Sequence, residues 1–221
     1  MMTLAIDFSS VRRSVAVVDG AASPFPAVLA KSGETGGEGT QAFAMMESTL
    51  REAGVRREDV ELLALGLGPG SYAGVRVALS IANGWQLARS VVKTSGVSSV
   101  ACLAWTAHVA GHRGEIGLII DAQRGEFYLG RYRLEAAGCS ELAPLAIVSR
   151  DRILELLAQG GVILGPQAKS SFPQAQDLFP DAGVLGKLAL RDGIPTGADQ
   201  LEPIYLRPVA FAKAPPPRTD L

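Results

Sequence analysis

Histidine and cysteine are scarce in this chain of 221 residues, with two of each. Cys102 and Cys139 are too few for a small secreted fold held by disulfides, and neither stands in a CxxC or other metal-ligand spacing. They read as core thiols in a reducing compartment. Charge is also scarce, at 19% against about 25% in an average soluble protein. Lys and Arg (21) balance Asp and Glu (22), so no global field draws the chain to nucleic acid or an anionic membrane. Any service to RNA would go through a partner or a local patch. A membrane-spanning run is lacking as well. Residues 94–111 hold no Asp, Glu, Lys or Arg, but three serines, two threonines, two glycines and His108 dilute them too far. The start has no basic segment before its apolar run, and Asp7 interrupts that run, so it does not read as a signal peptide. A soluble cytoplasmic protein is expected.

What is present is apolar: 48% hydrophobic residues, with a mean hydropathy of +0.21. The length exceeds one average domain of about 150 residues and falls short of two, which suits one large domain or two small lobes. Leu4–Asp7 reads as a strand, Phe8–Arg13 as a turn, and Ser14–Val18 as a second strand. A third runs over Ala27–Lys31, and Gly33–Gly39 reads as a loop. Thr40 is placed to cap a helix to Ala53, with Phe43, Met46 and Leu50 at helical spacing. Leu62–Leu67 is an apolar run bounded by glycines, as in a strand buried on both faces. Ser71 can cap a long helix to Arg89, followed by a short strand Val91–Lys93 and an apolar helix Ser98–Val109.

The second half repeats the plan. Gly117–Ile120 ends in Asp121, a polar turn leads to strand Phe127–Leu134, and Leu145–Val148, helix Arg150–Gln159 and strand Val162–Leu164 follow. Leu4-Ala5-Ile6-Asp7 beside Leu118-Ile119-Ile120-Asp121 marks two variations on one scheme. The expected division is 1–108 for a first lobe, 109–200 for an abbreviated second lobe, and 201–221 for a segment returning to the first lobe. The Pro-rich stretch Ala214–Arg218 makes its end a flexible tail.

Two Asp-tipped strands facing one crevice are a device for handling phosphate and its metal, since open α/β sheets bind ligands at strand C-termini. Asp7 and Asp121 are the candidates, with Ser9 and Ser10 offering hydroxyls and N–H groups. The alternative is that both aspartates only fix turns. Gly66-Leu67-Gly68-Pro69-Gly70-Ser71 sits between strand and helix but has no Lys-Ser/Thr after its glycines, so it is no P-loop and reads as a close-packing turn. His108 and His112 are spaced i, i+4, yet no third ligand accompanies them, and neither cysteine has a motif partner for nucleophilic catalysis. No catalytic residue and no metal site is assigned.

The helix from Ser71 is more informative. Tyr72, Val75, Leu79 and Ala82 line one face, widened by Ile81, Trp85 and Ala88, while Ala73, Val77, Ser80 and Gly84 form a stripe of small residues. Small residues at that spacing admit a second helix, of a partner or of the chain itself. Met45 and Met46 on the preceding helix add adaptable surface or core. The expected partner interface is Met45, Met46, Ala73, Arg76, Val77, Ser80 and Gly84.

In order, Leu4–Asp7, Thr40-Gln41, Gly68-Pro69-Gly70-Ser71-Tyr72-Ala73-Gly74-Val75-Arg76, Gly96–Ser99, Asp121–Tyr128 and Glu202–Arg207 resemble the TsaB (YeaZ) family over nearly the whole chain. The resemblance implies an α/β, actin-like ATPase (ASKHA) fold of two lobes with related βββαβα cores, the second abbreviated. It implies a role in threonylcarbamoyl modification of the adenosine beside the anticodon in ANN-decoding tRNAs. The role it implies is non-catalytic: pairing with the catalytic paralogue TsaD, which holds the metal, while a TsaE-like ATPase and ATP drive the cycle. The tRNA is then met through the complex, nucleotide and metal are bound by partner subunits, and homodimers can form. The His-x-x-x-His motif of TsaD has no counterpart at Gly96–Val100, so the metal is not carried over.

The chain departs from the family at three places. Phe8 replaces a usual Thr, Gly39 stands where His is common, and Ala73 replaces a usual Thr. The competing readings are an active ATP-dependent small-molecule kinase or ATPase using Asp7 and Asp121, and a metal-dependent peptidase resting on His108 and His112.

Overall fold

The computed structural model describes residues 1–22, 25–36 and 39–206. Strands β1 (Met2–Asp7), β2 (Arg12–Asp19) and β3 (Ala27–Thr35) form an antiparallel meander, with Leu4 opposite Val17 and Asp7 opposite Ser14. Helix α1 (Ala42–Glu52) leads to β4 (Leu62–Gly66), which runs parallel to β1 and is buried along its whole length. Helix α2 (Tyr72–Ala88) then leads to β5 (Lys93–Val97), parallel to β4, giving a sheet in the order β3-β2-β1-β4-β5. Alternation along β1 divides the core: Leu4 and Ile6 pack with Met46, Leu50, Val75 and Leu79 of α1 and α2, while Ala5 faces the opposite side.

The second lobe follows helix α3 (Ser99–Val109). Strands β6 (Gly114–Asp121), β7 (Glu126–Glu135) and β8 (Gly138–Ser149) form the meander, with Asp121 opposite Phe127. Helix α4 (Arg150–Ala158), strand β9 (Val162–Gly165), the short helix α5 (Ala168–Ser171) and β10 (Gln176–Asp177) complete a sheet in the order β10-β9-β6-β7-β8. β9 and β10 run parallel to β6 and β9 respectively. The two sheets therefore share one topology, with Asp7 and Asp121 ending the corresponding central strands. Abbreviation of the second lobe is plain at its edge, where β10 has two residues against five in β5.

The expected division at 108 and 200 does not coincide with the packing units. Val100, Leu103, Ala104 and Ala107 of α3 pack on Leu118, Ile120 and Tyr132 of the second sheet. Helix α6 (Ala182–Asp192) crosses back to the first, where Leu185 and Leu188 meet Ala5, Ala16 and Val18. Each lobe thus supplies a helix to the other. The segment 201–206 does return to the first lobe: Leu201 joins its core and the Ile204 N–H bonds the Leu67 carbonyl at 2.9 Å. The expected flexible tail lies outside the described residues.

Several local expectations need correction. β3 runs on through Gly33 to Thr35, because pairing with β2 continues to Arg12. Thr40 does not cap α1. The Gln41 N–H is instead taken by the Glu34 carboxylate at 3.2 Å, which Arg13 also holds at 2.9 Å. The fifth strand is Lys93–Val97 rather than Val91–Lys93, since its partner β4 dictates the register. Ser71 does cap α2, accepting from the Gly74 N–H at 3.2 Å. Among the described residues no helix is long and apolar enough to cross a membrane.

Candidate functional site

Two concave surfaces bring the expected residues together, an interlobe cleft and a groove between α1 and α2. At the cleft, β1 delivers Asp7 to the start of the β1–β2 turn, but the side chain points inward and is fully buried. Its Oδ1 accepts from the Ser9 N–H at 3.0 Å and the Ser9 hydroxyl at 2.7 Å, and its Oδ2 from the Ser99 hydroxyl at 3.4 Å. Ser99 in turn accepts the Gly68 N–H at 3.1 Å. Burial raises the Asp7 carboxyl above its ordinary value, in spite of these hydrogen bonds. The expectation that Asp7 faces a nucleotide is therefore corrected: it ties the turn to the glycine motif and to α3.

The glycine motif wraps that turn at backbone contact. A Cβ on Gly70 would lie 2.1 Å from the Ser9 carbonyl oxygen, and one on Gly74 would lie 1.9 Å from that of Phe8. The Ser71 N–H donates to the Ser9 carbonyl at 2.7 Å. The glycines serve close packing of α2 on the turn.

The cleft, about 470 Å³, is lined by Ser9, Ser10, Tyr72, Asp121, Gln123 and Tyr205 among others. Asp121 is exposed, with Oδ1 accepting the Gln123 N–H at 2.7 Å and Oδ2 the Gln123 amide at 3.2 Å. Gln123 and Arg124 hold left-handed φ values of 65° and 59°, each an unfavourable state for a residue with a Cβ. Ser10 donates its hydroxyl to the Arg12 carbonyl at 2.9 Å. Of the four candidate nucleotide-facing residues, Ser9, Ser10 and Asp121 thus line the cleft and Asp7 does not. Asp7 is enclosed, both serine hydroxyls are committed, and among the described lining residues there is no Lys or Arg.

The second surface is a groove of about 580 Å³ lined by Phe43, Met46, Leu50, Arg76, Val77, Ser80, Ile81, Gly84 and Trp85, with Arg57 and Arg89 side by side in its wall. Ala73, Arg76, Ser80 and Gly84 are exposed and Val77 is half-buried, so the small-residue stripe faces outward. A Cβ on Gly84 would meet nothing within 4 Å. Met45 and Met46 are corrected to core, being 7% and 4% exposed against the first sheet, although Met46 still floors the groove. Phe43 is the reverse case, 70% exposed. Its place one turn before the charged Glu47, on the flank of the Met46–Leu50 stripe, was the available signal. Tyr72 and Ala88 also leave the core face assigned to them, because α2 meets the sheet through Gly74, Val75, Ala78, Leu79, Ile81 and Ala82.

The family model for TsaD, tRNA N6-adenosine threonylcarbamoyltransferase, matches residues 40–194. The tRNA threonylcarbamoyladenosine biosynthesis protein TsaB of Escherichia coli is 28% identical over 197 residues, covering 77% of this chain and 81% of that protein. Its Bacillus subtilis counterpart is 27% identical over 203 residues, covering 89% and 84%. YeaZ from Pseudomonas aeruginosa superimposes with a TM-score of 0.75 at 27% identity, covering 93% of this chain and 99% of that one. The chain belongs to the TsaB (YeaZ) family, with a TsaD-type domain over most of its length.

Within this TsaB-family chain the three departures have physical readings. Phe8 fills the first-lobe core and is fully buried, so its side chain never addresses the cleft. Gly39 has a φ of 93° and offers its carbonyl to Arg13, a conformation a histidine would strain. Ala73 is exposed on α2, on the side of the stripe. His108 lies near the end of α3 against Trp105, and His112 lies beyond Gly111. Among the described residues no three His, Cys, Asp or Glu side chains converge as a metal site. Burial pushes the Cys139 thiol up to about 11 and the wholly buried Cys102 higher still, which suits neither to nucleophilic attack.

Proposed function

We propose that this chain acts in tRNA threonylcarbamoyladenosine biosynthesis as a non-catalytic subunit, and that it does so by pairing through α1 and α2 with a TsaD-like catalytic paralogue. The observation that carries this reading is the α1–α2 groove, an apolar surface with small residues turned outward. A helix pair of like design on a paralogue would close on it to form a helical bundle, with Ala73, Ser80 and Gly84 permitting close approach. The names of the E. coli and B. subtilis relatives support the pathway. The enclosed Asp7 and the committed serines count against a kinase or ATPase turning over in the cleft. On this reading ATP and metal are handled by the TsaD-like and TsaE-like subunits, and tRNA is reached through the assembly. Reconstitution tests it: threonylcarbamoyladenosine formation by the partner subunits should require this chain, while the chain alone forms none. Equal product without it would overturn the reading.

A further inference from the structure

The interlobe cleft, about 470 Å³, falls in the size range of small-molecule sites, roughly 300–1,000 Å³. Three of the chain's four tyrosines line it. Tyr72 opens α2 of the first lobe, Tyr128 lies on β7 of the second, and Tyr205 belongs to the segment that returns to the first. Tyr205 packs on Tyr72 with ring centroids 5.4 Å apart, and both rings remain exposed. Burial, aided by the phenols of Tyr72 and Tyr128, raises the Tyr205 phenol above its ordinary value, with Arg76 acting against them. Tyrosines of the two lobes thus gather at one mouth.

Two glutamines share the lining. The Gln123 amide nitrogen is spent on Asp121 at 3.2 Å, which leaves its carbonyl oxygen as an acceptor. The Gln167 amide has no hydrogen-bonding partner among the described residues, so a donor and an acceptor stand side by side. Both residues hold left-handed φ values, 65° and 56°, and with Arg124 they are the only non-glycine residues in that state among those described. Such a backbone is unfavourable, persists only where its surroundings enforce it, and clusters at ligand sites.

We propose that the cleft binds an adenine-type base, carried by a free nucleoside or by an unstacked residue of an RNA, without engaging phosphate. Tyrosine rings stack on the face of any base. Selection falls to the amide. A glutamine side chain pairs bidentately with adenine, accepting from the N6 amino group and donating to N7, whereas guanine presents two acceptors there, O6 and N7. Guanine calls for the paired donors of arginine, and the described lining has no Lys or Arg. The same lining gives phosphate no countercharge, and exposed Asp121 repels it. The site lies apart from the α1–α2 groove and does not rest on the pairing proposed there.

The full chain labelled with 3-fluorotyrosine carries one fluorine probe at each of four tyrosines, and Tyr132, in the second-lobe core outside the cleft, is the internal control. Adenosine should shift the Tyr72, Tyr128 and Tyr205 resonances saturably and leave Tyr132 in place. Guanosine should bind about ten-fold more weakly, the discrimination of one bidentate pair. Gln167→Gly removes the amide and eases the left-handed backbone, so it should fold and lose that preference. The parent's own preference remains a test if the variant does not fold. The two sources separate in the same titration. A site for the free nucleoside binds adenosine at least as tightly as the RNA pentamer UUAUU, while a site for an RNA base binds UUAUU more tightly and leaves UUGUU behind. Cleft resonances unmoved by either probe, equal affinity for adenosine and guanosine, or a preference that survives Gln167→Gly would overturn the proposal. So would tighter binding of magnesium-ATP than of adenosine, which would mean that the cleft holds phosphate. The chain is titrated alone, so failure of the pairing with a TsaD-like partner leaves this result intact.

Discussion

Gly74, in the first turn of α2, lies against the carbonyl of Phe8 so closely that a Cβ there would come within 1.9 Å of the oxygen. The contact joins the turn that closes β1 to the helix that carries the groove. Gly74→Ala should therefore destabilise the protein by about 1–3 kcal/mol, the range of forced overpacking, although alanine normally favours a helix. Urea unfolding checks it, and a variant as stable as the parent would show that α2 can move off the turn.

Gly84 gives the opposite expectation on the same helix. With nothing within 4 Å of its missing Cβ, Gly84→Ala should stabilise the free chain by about 0.5–1 kcal/mol. It also fills the outward stripe, so partner affinity should fall even as the melting temperature rises. A variant that gains both stability and affinity would argue that no helix approaches closely at this position.

Much of this arrangement was legible in the sequence. The Asp-tipped strands and their repeated order stand out because parallel central strands must be apolar throughout, as Leu62–Leu65 is. Ser71 was readable as a cap because hydroxyls at N-cap positions have a local partner. The cap of α1 was not, since Glu34 reaches it from the neighbouring strand and the partner of Gln41 is set by tertiary placement. Helix α6 escaped the reading, although Asp181 caps it through the Val184 N–H at 3.1 Å and Leu185 and Leu188 mark its buried face. Its two interior glycines, Gly183 and Gly186, weaken the helical pattern, and its docking on the other lobe has no local signature. The direction of Asp7 was equally hidden, for an aspartate at a strand end looks the same whether it faces ligand or turn.

Asp7 sets a pH dependence. Its folded pKa is raised, chiefly by burial, above the unfolded value of about 3.9, so folding favours the neutral form. Its contribution is fully present below that unfolded value and is lost as pH rises through the folded pKa. Asp7→Asn keeps an acceptor for Ser9 and removes the charge, so it should be at least as stable as the parent at pH 7 and lose that advantage toward pH 4. Thermal melts of both proteins across this range decide it. An Asn variant weaker at pH 7 than at pH 4, relative to the parent, would require that the ionised carboxylate itself stabilises the turn.

Phe8 offers a check on the cleft. Phe8→Thr restores the hydroxyl common in the family but empties a fully buried site, which should cost about 3–5 kcal/mol. Calorimetry with magnesium and ATP should show no binding gained by the variant. Titratable nucleotide affinity appearing in Phe8→Thr would mean that the side chain at this position turns to the cleft after all.

The central claim is that the outward stripe of α2 is where the catalytic paralogue docks, and Ser80 lies in the middle of it, exposed in the groove. Ser80→Arg should leave the melting temperature of the free chain within a few degrees of the parent. In the complex it would place a bulky, unpaired charge between close-packed helices. The decisive measurement is the dissociation constant of Ser80→Arg for a TsaD-like partner by isothermal titration calorimetry, beside the parent. The account predicts weakening of at least about 100-fold, equivalent to about 3 kcal/mol, with the fold intact. Unchanged affinity in a folded variant would contradict it.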